Sequence, residues 1–294
     1  MKRDKILTFG FAALFAAGLL SSCSQEDVAA GVDLHQENNK TVTVKELTER
    51  LKVYNANVYG VTRASQEPWM PNPELSTDLK MKIVVADVKG GIRGYRHGGW
   101  LGGLVGAAVS SLVKAVTDRL FGSKRVELSN PTVFIAGVAP AFSDSIGYYH
   151  NHLEGMMYNM DNNSNLLTSA SLLSRADSIM LDTSTGYAAA DRLNGMQKAA
   201  IAADADVVRS IDSSDMTFDE YCGKLTSLNP EDADYIDFVA EYLYVVNYAN
   251  VDIAEYTEEV MFMINNANAD VEDASLLNSS VQVAYASSVV ANGN

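Results

Sequence analysis

The sequence predicts an all-α protein: a multi-helix globular body with a glycine-zipper-like helix or helical hairpin and little or no β structure. Three observations predict it. Apolar residues recur at steps of three and four along most of the chain after residue 41, the spacing of a helix with one buried face. Helix-start patterns stand before several of these runs. Thr43-Val44-Lys45-Glu46 and Thr217-Phe218-Asp219-Glu220 are capping boxes, and Asn229-Pro230-Glu231-Asp232 offers a cap, a proline at the first helical position and acids in the first turn. The alternation of a half-buried strand is found only at 82–85 and 132–138.

The N-terminus reads as an address rather than as part of the fold. Lys2, Arg3 and Lys5 precede an uncharged run that ends in small residues before Cys23, the three-part layout of a secretory signal. Its apolar core, Ile6 to Leu20, is 15 residues long, short of the ~20 that a membrane-crossing helix needs. Leu20-Ser21-Ser22-Cys23 resembles the lipobox of bacterial lipoproteins. The resemblance implies cleavage after residue 22, a diacylglycerol thioether on Cys23, and the lipid bilayer as a partner. The alternative is an ordinary signal peptide with a chance cysteine. Ser24-Gln25-Glu26-Asp27 resembles the surface-export signal of Bacteroidota lipoproteins, which implies the outer face of the outer membrane. Residues 23–40 are polar and acidic and read as a disordered tether.

Residues 41–294 read as a single helical domain. Leu47, Leu51, Tyr54 and Val58 continue the first capping box at helical spacing, and 67–73 holds three of the six prolines, a linker. The most unusual feature follows within the basic segment 75–125. Gly90, Gly94, Gly98, Gly102 and Gly106 recur every four residues, and Gly99, Gly103, Ala107 and Ser111 form a second row beside them. Each glycine costs a helix ~1 kcal/mol relative to alanine, so close packing of a neighbouring backbone must offset the loss. Three readings stay open: a buried helix or hairpin that uses these glycines for helix packing, a membrane-associating or self-associating helix, and a glycine-rich loop. The uncharged part, Gly98 to Val113, is 16 residues, again short for a span.

Beyond residue 143, Ile146, Tyr149, Leu153, Met156 and Met160 suggest one helix, and Leu166 to Met180 another. An Ala-rich helix is expected over 188–211, one from Thr217, one from Asn229, one over about 252–265 and a last over about 271–290.

Charge is unevenly distributed. Residues 80–125 carry nine Lys/Arg against two acids, a net of +7, and residues 127–294 carry five against 25, a net of −20. So acidic a C-terminal half repels phosphate backbones, which excludes nucleic acid as a partner. The basic segment lies either against the acidic half of the same molecule or against anionic lipid.

The chain offers little for catalysis. Cys222 has no partner once Cys23 is alkylated and reads as a buried small hydrophobe. No G-x-G-x-x-G, Gly-Lys-Ser/Thr or G-x-S-x-G is present, and no cofactor is implied. Asp232, Asp234 and Asp237 lack the glycine and glutamate of a calcium loop and suit the dipole of the helix they begin. The one constellation of interest is His150-Asn151-His152 with Glu154, near Asp144. As a strand it would place both histidines on one face for zinc. As a helix it places His150 beside Glu154 and turns His152 away.

Ser145-Ile146-Gly147-Tyr148-Tyr149-His150-Asn151-His152-Leu153 resembles the S-I-G-x-x-H-N-x-x-L stretch of uncharacterised Bacteroidota secreted proteins. Ala86-Asp87-Val88-Lys89-Gly90-Gly91-Ile92-Arg93-Gly94 is similar to a second block of theirs. The resemblance implies no activity. It does imply that His150 and Asn151 act as a motif, for which a structural role toward the Gly-rich helix is expected. The leading functional expectation is a non-enzymatic, lipid-anchored cell-envelope protein at the outer membrane surface. A membrane-active or self-assembling effector, and then a metal-dependent hydrolase, are the alternatives.

Overall fold

The computed structural model describes residues 41–61, 63, 75–121, 146–159, 168–181, 192–213 and 215–292. The expectations for the signal, Cys23, the tether, the proline linker, the 132–138 alternation and Asp144 lie outside the described residues. Those described are mostly helical, in nine α-helices and one 3-10 turn without a strand.

Helix α1 (Val44–Val58) starts where the first capping box predicts. Thr43 Oγ1 accepts from the Glu46 N–H at 3.2 Å, and Glu46 Oε2 accepts from the Thr43 N–H at 2.9 Å. Just before it, the Val42 N–H donates to the Asn268 carbonyl at 2.7 Å, which ties the entry of the chain to the loop between the last two helices.

Element α2 (Leu75–Phe121) is a helical hairpin. Its backbone leaves helical geometry at Gly98 and Gly99, where Gly99 takes φ +60° and ψ −152°, a conformation open to glycine and costly for any residue with a Cβ. The arms 75–97 and 100–121 run back along each other. The alternation at 82–85 is not a strand: these residues are helical and Ile83, Val84 and Val85 are buried. This arm is covered on several sides, so the run is apolar around the helix and its period says little.

Six more helices follow around the hairpin: α3 (Ile146–Asn159), α4 (Ser169–Leu181), α5 (Gly195–Arg209), α6 (Phe218–Leu228), α7 (Ala233–Tyr248) and α8 (Ile253–Asn266), with α9 (Val271–Asn292) completing the body. The hairpin touches α5 most extensively and also packs on α9, α3, α7, α4 and α6, while α1 lies on α7. Leu104, Val105, Ala108, Val109 and Leu112 of the second arm join Leu153, Leu172 and Ile201 in one apolar cluster, each large side chain contributing roughly 1.5–3 kcal/mol when buried.

Two expected helix starts shift. Among the described residues the Ala-rich helix begins at Gly195, because Asn194 caps it: Asn194 Oδ1 accepts from the N–H groups of Met196 and Gln197, and Gln197 Oε1 accepts from the Asn194 N–H at 2.8 Å. Gly195 thus occupies the first turn, where it costs little. After Asn229 the chain makes a single 3-10 turn, Pro230–Asp232, without a side-chain cap, and the α-helix begins at Ala233. Asp232 is drawn instead toward the hairpin.

Candidate functional site at the glycine hairpin

The first glycine row is where the two arms meet. A Cβ on Gly94 would lie 2.0 Å from the Gly102 carbonyl oxygen and one on Gly102 would lie 2.1 Å from that of Gly94. Gly90 and Gly106 stand in the same relation, each 2.3 Å from the other's oxygen, and the pairs are placed evenly about Gly98. A Cβ on Gly98 would lie 2.5 Å from Leu193 Cδ2. Because the obstructing atoms at both pairs are backbone, no rotamer change relieves them. A further glycine not singled out in the sequence does the same between other helices: a Cβ on Gly147 would lie 2.4 Å from the Gln282 carbonyl oxygen of α9. Its presence in the Ser145-Ile146-Gly147 block was the available signal.

The close approach brings polar side chains of three elements together. His150 on α3, with no exposed surface, has Nε2 3.5 Å from Asp87 Oδ2 on the first arm, 3.6 Å from Glu154 Oε2 one turn along α3, and 3.3 Å from Ser287 Oγ on α9. Ser287 donates to Asp87 Oδ2 at 2.7 Å, and Ser111 of the second arm donates to Glu154 Oε1 at 2.6 Å. Asp87 Oδ1 and His150 Nδ1 are buried without a hydrogen-bond partner. Burial and the charge of Asp87 push the Glu154 carboxyl up to about 7, against the pull of His150 and Ser111. Burial works to lower the His150 pKa, but the hydrogen bond and charge of Asp87, with the charge of Glu154, outweigh it and leave His150 raised. The cluster thus favours a protonated His150.

Chemically this arrangement is closed. A serine-hydrolase relay needs its acid on the imidazole nitrogen opposite the serine, whereas Asp87 and Ser287 both face Nε2 and Ser287 donates to Asp87. For zinc, no group of three or more His, Cys, Asp or Glu among the described residues is arranged to hold a metal. His152, two residues on, is partly exposed while His150 is buried, as helical geometry requires. The two residues of the His150-Asn151 motif part ways. His150 faces the hairpin, but Asn151 Nδ2 donates to the Ala286 carbonyl of α9 at 2.9 Å, because adjacent helical residues diverge by about 100°. Asp87 belongs to the second of the two family-like blocks, so the structure brings these blocks into contact.

The basic side chains of the hairpin turn toward the acidic half of the chain. Arg93 Nε meets Asp204 Oδ1 at 3.0 Å and its Nη1 meets Glu231 Oε1 at 2.5 Å, while Arg96 pairs with the fully buried Asp232 and His97 Nε2 lies 2.9 Å from Asp204 Oδ2. Three lysines are buried outright. Lys89 donates to the Asp204 carbonyl at 2.9 Å, Lys82 to the Ser213 carbonyl at 3.1 Å and to that of Met216, and Lys114 to Ser213 Oγ while standing 4.5 Å from the Tyr221 ring centroid. Burial lowers the Lys89 pKa and raises that of Asp232. Asp232 stands at the helix start, as its spacing predicts, and in addition pairs with a guanidinium. Asp237 likewise accepts from Arg63 at 2.9 Å.

Comparison with family models, curated proteins and solved structures finds no match. The site is therefore read from its own chemistry. Cys222 lies on the buried face of α6, and burial pushes its thiol up to about 12, which removes it as a nucleophile. No described helix is long and apolar enough to cross a membrane.

Proposed function

We propose that this chain is a lipid-anchored cell-envelope protein of the Bacteroidota type, carried on the outer membrane surface by Cys23, whose helical body has a structural or interaction role without catalysis. The anchor rests on the Leu20-Ser21-Ser22-Cys23 tetrad behind a basic start and a short apolar core. The observation that carries the reading of the body is the closure of the His150 cluster. Its histidine and aspartate have no exposed surface, and His150 Nε2, Asp87 Oδ2 and Ser287 Oγ are directed at one another, so the described residues leave a substrate no path to them. The occupied glycine row supports the same reading over a membrane-active effector. To insert, the hairpin would have to separate Gly94 from Gly102 and carry Lys82, Lys89, Lys114, Arg93 and Arg96 into hydrocarbon, at several kcal/mol for each charge.

The test is metabolic labelling with an alkynyl fatty acid, followed by fractionation and protease shaving of intact cells. Wild type is expected to take up label, sediment with the outer membrane and be digested from outside, and Cys23→Ala to do none of these. Equal maturation and fractionation of the two proteins, with an unmodified N-terminal peptide by mass spectrometry, contradicts the proposal.

A further inference from the structure

The three ionisable side chains of the buried cluster are divided across one seam. His150 and Glu154 ride on α3, one helical turn apart, and Asp87 stands opposite them on the first arm of the hairpin. The second arm faces the cluster with Ser111 and α9 with Ser287, both neutral hydroxyls. The cations of the packed elements point elsewhere. Lys89 donates to the Asp204 carbonyl, Lys114 to Ser213 Oγ, and Arg175 of α4 to the Met157 carbonyl at 3.1 Å. One imidazole thus serves two carboxyl groups, 3.5 and 3.6 Å from the same Nε2.

That arrangement makes the seam sensitive to protons. With Glu154 neutral, His150 answers the charge of Asp87 across it. Once Glu154 ionises, a second negative charge is sealed in with no second cation, and an unmatched buried charge is costly. Burial and Asp87 accordingly hold the Glu154 carboxyl up at about 7. The repulsion runs between α3 and the hairpin, so separating those two elements relieves it. Protons have a short way to the seam. A fissure of about 10 Å³ runs under the hairpin turn, room for a single water and too narrow for a substrate. Gly91, Ile146 and Val283 on its walls each lie four residues, one helical turn, from Asp87, His150 and Ser287.

We propose that Asp87, His150 and Glu154 form a proton-operated latch, which fastens α3 to the hairpin in mildly acidic medium and lets α3 lift away in mildly alkaline medium while the hairpin stays folded. Lifting α3 uncovers the apolar cluster that Leu153 and Met157 share with Leu104, Val105 and Leu112 of the second arm. The latch is independent of the anchor at Cys23.

The test is amide hydrogen exchange, read by mass spectrometry on the full-length protein at pH 5.5 and pH 8, corrected for the intrinsic rates and repeated in dilute urea. An opening of α3 that returns Glu154 from about 7 to 4.5 lowers the protection of residues 146–159 by about thirtyfold between the two pH values. At pH 8 exchange in α3 is expected to be faster and less sensitive to urea than exchange in the hairpin arms, because a local opening exposes less surface than global unfolding. Glu154→Gln is expected to remove most of the pH-dependent loss. Equal α3 protection at both pH values overturns the latch, and so does a Glu154→Gln protein that loses protection as wild type does. It is also overturned if α3 at pH 8 matches the hairpin arms in rate and in urea dependence, since the cluster then sets global stability alone.

Discussion

His150 Nε2 stands 3.5 Å from Asp87 Oδ2 with both side chains sealed from solvent, a contact between α3 and the hairpin across 63 residues of chain. A buried ion pair of this kind is poor evidence of added stability in itself, but removing one member strands the other. Asp87→Ala is expected to destabilise the protein by about 3–5 kcal/mol in urea unfolding. Asp87→Leu combined with His150→Leu should cost clearly less than the sum of the two single changes. Additive losses would mean that the two residues do not depend on one another.

The same cluster sets a pH dependence. Glu154 is raised from 4.5 to about 7 and His150 is raised above its ordinary value. For a group whose folded pKa exceeds its unfolded one, the favourable contribution is complete below the unfolded pKa and is lost as pH rises through the folded pKa. Both groups therefore act in one direction, and the raised carboxyls of Asp232 and Glu241 add to it. The melting temperature should be higher near pH 5 than near pH 8. Glu154 alone accounts for a difference of order 3 kcal/mol, and Glu154→Gln should raise the melting temperature at pH 8 and flatten the profile. A wild-type optimum at pH 8, or a Glu154→Gln protein that loses stability there, is inconsistent with the cluster as described.

Thiol chemistry gives a separate check. In Cys23→Ser protein, Cys222 is the remaining cysteine, and its buried, raised thiol should be silent toward a disulfide reagent in the native state and react fully in denaturant. Rapid modification of the folded protein would place Cys222 at the surface instead.

Much of the architecture was legible because its signals are local. The capping boxes at Thr43 and Thr217 mark real helix starts, and glycines four apart announce a face that accepts another backbone. The same row did not say which backbone. Gly98 reads as one more member of it and Gly99 as the start of the second row, and only the pairing of Gly94 with Gly102 and Gly90 with Gly106 shows that the row folds on itself. The buried cluster was half visible. His150 and Glu154 share a face by spacing alone, but Ser111 and Ser287 are common residues with no local mark, and their roles come from tertiary packing. Asp87 is a lone acid in an apolar run, and that isolation is its signal. Charge alone leaves the basic segment facing either acid or lipid. Lys89 and Lys114 do neither in the simple sense: each is buried, one on a backbone carbonyl and the other on a hydroxyl and a ring. Charge counting cannot foresee such partners.

The central structural claim is that the glycine row is the seam of one hairpin. The most direct measurement compares the unfolding free energies of Gly94→Ala and Gly223→Ala, both helical glycines, one against the Gly102 carbonyl and the other with nothing within 4 Å of its would-be Cβ. The hairpin predicts that Gly94→Ala destabilises by about 3 kcal/mol or more, since backbone cannot yield as a side chain does, and that Gly223→Ala stabilises by roughly 0.5–1 kcal/mol through helix propensity. A Gly94→Ala protein as stable as Gly223→Ala would mean that the two arms do not meet there.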